Sequence, residues 1–412
     1  MVTDIDVLTT DGLVRGSADG ETFRFLGIPF AAPPFGANRF RFPQPPTPWD
    51  GPRDARESGL GVPQPHWEND PFDMYFNPQR EGADCLVLDV CTPELGRAGL
   101  PVMVWIHGGG FITGTGSAPA HDGRTFARDG IVHVGVNYRL GMEGFLFTGE
   151  GADNLGLRDQ VAALEWVQRN IAAFGGDPAN VTVFAQSAGA LALFDLLAMP
   201  AARGLFARAI AQSGTPAAAV TVDDALMVTA RVAERLGIDP TREAFCAVPL
   251  DRTLAETLPM TIEWTDYHRY GSRSFLVSPW RAVYGTESLP DSPADAAVAR
   301  SSTVPLLAGT VRNEATGFLG ALGLMDAVSQ PVRDEILSLL GAGPDVLAAY
   351  RGARGLQSDR DIVEAAWTDW AFRIPTIRAL EQRSAPSHLY EFGWQSPLFP
   401  PGIAAAHALE VP

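Results

Sequence analysis

The sequence predicts a doubly wound α/β fold, a mostly parallel twisted sheet with helices on both faces. Three observations carry that expectation. Residues 102–106 (VMVWI), 131–136 (IVHVGV) and 181–184 (VTVF) are short runs without polar alternation, the pattern of strands buried on both faces. Between the second and third runs, Val161, Leu164, Val167, Ile171 and Phe174 recur at spacings of three and four, so they share one helical face. Strand and helix then alternate along the chain, which is the signature of a parallel sheet wrapped by helices.

Taken in order, residues 3–24 alternate like an antiparallel hairpin that precedes the parallel strands. The helix from 159 to 174 stops at Gly175-Gly176-Asp177-Pro178, a C-cap followed by a turn. A second apolar helix is expected from 187 to about 199, then a short strand at 209–211. Residues 224–236 read as a helix ending at Gly237. Residues 240–300 show little periodicity, so 216–300 is expected to form a lid or cap insertion within one domain spanning 1–412. A strand at 304–309, helices at 331–341 and 359–382, and a strand at 388–392 complete the pattern.

Composition narrows the chemistry. The chain has 412 residues and a net charge of -17, and all 31 of its Lys+Arg residues are arginine. Without lysine there is no Schiff-base nucleophile and no P-loop or kinase lysine. The acidic balance argues against nucleic acid and anionic membrane as partners. Cys85, Cys91 and Cys246 lack metal-ligand or redox spacing, so no metal or other cofactor is expected. The N-terminus lacks the features of a secretory signal, and no apolar stretch is long enough for a membrane span; the expected compartment is the cytoplasm.

Two segments carry chemistry. In Ala185-Gln186-Ser187-Ala188-Gly189, a strand runs into a helix through a small-residue turn, the setting of a nucleophile elbow. Alone it reads first as a serine N-cap. His107-Gly108-Gly109-Gly110-Phe111 follows the strand at 102–106, and its glycines let backbone N–H groups converge on one point, as an oxyanion hole or an anion nest requires. The two together, on consecutive buried strands, are far more specific than either alone.

The chain resembles the type-B carboxylesterase/cholinesterase family of α/β-hydrolases. The resemblance rests on residues 25–34 (FLGIPFAAPP), 84–90 (DCLVLDV), 137–141 (NYRLG), 154–160 (NLGLRDQ) and the stretch from Asn170 through Gly189. It implies a serine hydrolase that cleaves carboxylic esters of small molecules through an acyl-enzyme. Ser187 would be the nucleophile, and Gly109, Gly110 and Ala188 the oxyanion donors. Glu314, in Gly309-Thr310-Val311-Arg312-Asn313-Glu314, would be the acid. His407, in the segment 405–412 (AAHALEVP), would be the base. His107 and His133 are expected to be structural. A non-catalytic scaffold, a thioesterase and a lactonase are the competing functions on the same fold. The family continues past the histidine segment, so the chain is expected to be truncated relative to it.

Departures from the family bear on substrate. Gln186 stands where cholinesterase-like members carry an acid, and Phe76 where they carry the Trp that binds a quaternary ammonium. Phenylalanine is the weaker cation–π partner, so neutral, apolar esters are expected. Phe111, Trp264 and Phe318 are the further aromatic candidates for the pocket wall. Cys85 lacks its upstream disulfide partner, since Val62 occupies that site.

Overall fold

The computed structural model describes residues 3–66, 77–78, 80–96, 99–149, 151–276, 278–324, 328–397 and 404–411. Three of its strands correspond to the expected apolar runs: β6 (Leu100–Ile106), β7 (Val132–Val136) and β8 (Gly176–Gln186). With β9 (Arg208–Gln212), β10 (Leu306–Val311) and β11 (Ser387–Phe392) they form a parallel array in the order β7-β6-β8-β9-β10-β11. The opening strands β1 (Thr3–Leu8), β2 (Leu13–Ala18) and β3 (Phe23–Pro29) pair antiparallel, as the hairpin reading expects. Strand β5 (Val87–Thr92), which the apolar-run reading missed, joins this antiparallel group to β7, and β4 (Pro52–Asp54) pairs with β2.

The register places the chemistry. Strands β6 and β8 are parallel with Ile106 opposite Ala185, so the glycine loop after β6 leaves the sheet beside the turn after β8. Strand β9 pairs Gln212 with Gln186, and the Ser187 N–H donates to the Gln212 carbonyl at 2.9 Å. Functional loops therefore gather at the carboxyl ends of the parallel strands, the general location of sites in open α/β sheets.

Most buried apolar side chains form one core around the sheet. A second, smaller core gathers Phe275, Leu319, Ile336, Ile362, Trp367 and Phe372 from the helices around β10. The helix at 159–174 begins earlier, as Leu155–Asn170, and ends in a tighter turn at Ile171–Phe174.

Two regions take a more specific form than the pattern shows. Residues 240–300, where little periodicity is visible, contain a 15-residue helix, Leu250–Trp264. Its buried face carries Thr253, Thr257 and Thr261, whose hydroxyls bond to backbone carbonyls of their own helix; these polar residues broke the apolar periodicity. The helix expected at 359–382 is present, running as Asp359–Thr368 and Ile374–Gln382 through one wider helical turn over Asp369–Arg373. Pro375 has no N–H to continue the ladder there.

Candidate active site

Ser187 sits between β8 and the helix Ala188–Ala198 with φ 54° and ψ −126°. That backbone conformation is strained for a non-glycine residue, at about 1–3 kcal/mol, and it lifts the side chain clear of the turn. The crowding falls on one glycine. A Cβ on Gly189 would lie 2.2 Å from the Ile106 carbonyl oxygen, so the helix closes against β6 only because that side chain is absent. Ala185, at the other small position, lies in the strand and is fully buried among apolar side chains, which explains why a methyl is accepted there.

Serine, histidine and glutamate come together. The Ser187 Oγ is 2.7 Å from His407 Nε2, and His407 Nδ1 is 2.5 Å from Glu314 Oε2. Glu314 is fully buried, and its other oxygen accepts the Val311 N–H at 2.9 Å. Burial opposes protonation of His407, but the Glu314 charge, its hydrogen bond and the nearby Glu410 charge outweigh it and hold the imidazole above its ordinary 6.5.

The loops bearing Glu314 and His407 are tied to each other and to the helices. Asn313 pairs with the strand-like backbone at Ala406, its N–H donating to the Ala405 carbonyl at 3.1 Å. The Asn313 side chain donates to Glu364 Oε2, and the Ala315 N–H donates to the Thr368 hydroxyl at 3.1 Å. The wide turn at Asp369–Arg373 aims Arg373, whose Nη2 donates to the Arg312 carbonyl at 2.8 Å. Arg312, Asn313, Ala405, Ala406 and Glu410 stood within the recognised segments, but Glu364, Thr368 and Arg373 formed no pattern in sequence. Ser213, itself at φ 53°, donates from Oγ to Glu410 Oε1 at 2.6 Å.

In the glycine loop, Gly109 has φ 107° and Gly110 φ 65°, both left-handed, and a Cβ on Gly109 would collide with the Thr113 carbonyl oxygen at 2.0 Å. Gly109 accepts the Ile112 and Thr113 N–H groups, which folds the loop back on itself. Among the described residues, the N–H groups of Gly109, Gly110 and Ala188 donate to no protein acceptor. The loop crosses close to the serine: a Cβ on Gly108 would be 3.1 Å from Ser187 Cβ. His107 is buried and stacks on Tyr138, and burial pulls it down to about 3, so it stays neutral and structural. His133 is likewise buried in β7 and pulled down to about 4.

The pocket residues divide. Gln186 Nε2 lies 3.3 Å from His407 Nε2, and the Phe318 ring centroid is 5.0 Å from the imidazole. Phe372, which sequence reasoning missed, flanks the same imidazole at 5.6 Å. Phe111 does not join them. Its ring is 1% exposed and packs on Phe145 at 4.3 Å, because a φ of 61° turns it into the core. Trp264 is also fully buried, stacked on Tyr270. Phe76 lies outside the described residues. Cys85 and Val62 are both buried, and all three cysteines are free thiols.

The chain is similar to known proteins over nearly its whole length. The sequence profile of the Carboxylesterase family matches residues 3–412. The chain is 38% identical to para-nitrobenzyl esterase of Bacillus subtilis over 98% of this chain and 82% of that protein. It is 35% identical to phenmedipham hydrolase of Pseudarthrobacter oxydans, covering 100% of this chain and 83% of the relative. Among solved structures, a PNB esterase superposes with a TM-score of 0.84 at 35% identity, over 100% of this chain and 83% of the other. A carboxylesterase of Geobacillus stearothermophilus superposes with a TM-score of 0.85 at 31% identity, over 99% of this chain and 82% of the other. The chain therefore belongs to the carboxylesterase family, with the α/β-hydrolase fold, and is a carboxylic-ester hydrolase.

Proposed function

We propose that hydrolysis proceeds through a Ser187 acyl-enzyme and that the preferred substrates are neutral, apolar esters. The observation that carries the mechanism is the unbroken chain from the Ser187 hydroxyl through both His407 nitrogens to a fully buried Glu314. His407 takes the Ser187 proton as Oγ attacks the ester carbonyl carbon. The oxyanion that forms is met by the N–H groups of Gly109, Gly110 and Ala188. His407 then gives its proton to the departing alkoxide. A water molecule, deprotonated by the same imidazole, attacks the acyl carbon; the bond to Ser187 Oγ breaks, the imidazolium returns its proton to Oγ, and the acid is released. Glu314 holds the Nδ1–H tautomer and balances the imidazolium charge.

The substrate preference rests on the walls near the base. Gln186 brings no charge to the position beside the serine, and Phe318 and Phe372 present apolar faces to the imidazole. The enzyme is expected to favour p-nitrophenyl and phenyl esters over choline esters in kcat/KM, and a choline preference contradicts this reading. Ser187→Ala is expected to lower p-nitrophenyl butyrate turnover by roughly 10⁴-fold or more with an unchanged circular dichroism spectrum. A folded variant with parental turnover would remove Ser187 from the mechanism.

A further inference from the structure

Arg281 is 3% exposed, and among the described residues no ion pair or hydrogen bond engages its guanidinium; the Asp224 charge acts on it from a distance, while Asp224 itself accepts from Arg273. The Arg281 Nε is fully buried without a partner, and its guanidinium carbon lies 5.3 Å from the Trp264 ring centroid. Other buried arginines of this chain are paired. Arg139 is bidentate on Asp159, Arg39 on Glu143, and Arg373 holds Asp369. A buried cation carries a desolvation penalty of several kcal/mol, which the Trp264 ring and the more distant Asp224 charge offset without a hydrogen bond to the guanidinium. Burial pulls the Arg281 guanidinium down to about 10, which still leaves it charged at neutral pH.

Arg281 lines a cavity of about 840 Å³, within the range of small-molecule sites. None of Ser187, Glu314 or His407 lines it. The carboxylates on its wall are already engaged. Asp224 accepts from Arg273 at 2.7 Å, and Asp369 accepts from Arg373 and from the Tyr350 hydroxyl. Arg378 adds an exposed cation to the same wall. Much of the remaining lining is apolar, including Leu276, Leu340, Val346, Trp370 and Ile374. The arginine is also held in place from two sides. The Val220 N–H donates to the Ala282 carbonyl at 2.8 Å, and Asn154 exchanges two hydrogen bonds with the backbone of Val283.

We infer that this cavity binds an amphiphilic carboxylate, with the carboxylate on the Arg281 guanidinium and the apolar body against Leu340, Val346 and Trp370. A fixed, unpaired guanidinium offers the paired donors that a carboxylate accepts. The apolar walls select against a bare inorganic anion. The site stands apart from the serine chemistry, so its test is binding and does not depend on turnover.

Isothermal titration calorimetry with octanoate, octanamide and inorganic phosphate tests the site on the parent chain, Arg281→Met and Val346→Trp. The parent is expected to bind octanoate at least 10-fold more tightly than octanamide or phosphate. Arg281→Met is expected to weaken octanoate binding at least 10-fold while melting no lower than the parent and hydrolysing p-nitrophenyl acetate at the parental rate. Val346→Trp, which narrows the cavity at a half-exposed wall position, is expected to weaken octanoate binding with Arg281 intact. The inference is overturned if the parent fails to bind octanoate, if octanamide or phosphate binds as well, or if both variants bind octanoate like the parent. A lower melting temperature for ligand-free Arg281→Met also overturns it, because the arginine would then be a structural group.

Discussion

Buried charge is handled in opposite ways at the catalytic end of the sheet and in the cavity bounded by Arg281. At the catalytic end, Glu314 has both oxygens engaged, and the fully buried Asp159 receives Arg139 in a bidentate pair together with the Arg139 backbone N–H. Glu410 Oε2 is a loose end there, but its charge acts on His407. In the cavity a buried guanidinium has an aromatic face beneath it and no hydrogen-bonded carboxylate, the wall's Asp224 being held by Arg273. The difference separates two uses of a buried ion. Where the chain supplies the partner, the pair fixes geometry; where it supplies none, the ion is left for a group from outside.

The largest effect that would break this contrast is at the acid. Glu314→Gln keeps the size of the side chain and removes the charge that supports the imidazolium. It is expected to lower kcat by roughly 10³–10⁴-fold and to move the acid limb of the pH profile downward. Parental kcat would show that the buried carboxylate serves only the fold.

Stability comes next. Arg139→Met abandons a buried Asp159 and is expected to cost about 3–5 kcal/mol in urea unfolding, whereas Arg281→Met abandons no carboxylate and is expected to cost nothing. Equal losses would erase the distinction between the two arginines.

A smaller effect is expected at the oxyanion loop. Gly109→Ala forces the loop away from the Thr113 carbonyl and is expected to cost about 10²–10³ in kcat, with KM little changed. The smallest is a shift in pH dependence. In the proposed mechanism His407 acts as a base when neutral, and its pKa is raised from the ordinary 6.5, so kcat/KM is expected to fall as pH drops through a value above 6.5. Glu410→Gln removes one of the charges that raise it, so the limb is expected to move to lower pH. A move upward would contradict the assigned direction.

The same two regions differ in how far sequence revealed them. The elbow at Ser187 and the loop at Gly109 and Gly110 are contiguous, because a tight turn and a backbone nest are built from neighbours in the chain. Their strands were legible as unbroken apolar runs. Glu314 and His407 were recognised by resemblance, since nothing local marks a buried carboxylate or the base it holds. Phe111 was misplaced because a left-handed φ, invisible in sequence, turns its ring inward. The helix Leu250–Trp264 was missed because threonines bonded to their own backbone occupy its buried face. The cavity draws residues from 217 to 378, so no window of sequence contains it. Arg281 reads as an ordinary surface arginine until its burial is known.

Trapping the intermediate tests the central claim most directly. The enzyme would be mixed with p-nitrophenyl acetate, quenched in acid within the first turnover, and digested for peptide mass spectrometry. The account predicts a burst of p-nitrophenol matched by one acetyl group on the peptide carrying Ser187, and neither signal in Ser187→Ala. Full turnover with no burst and no acetylated Ser187 under conditions that slow deacylation, or acetylation of another residue in step with the burst, would contradict it.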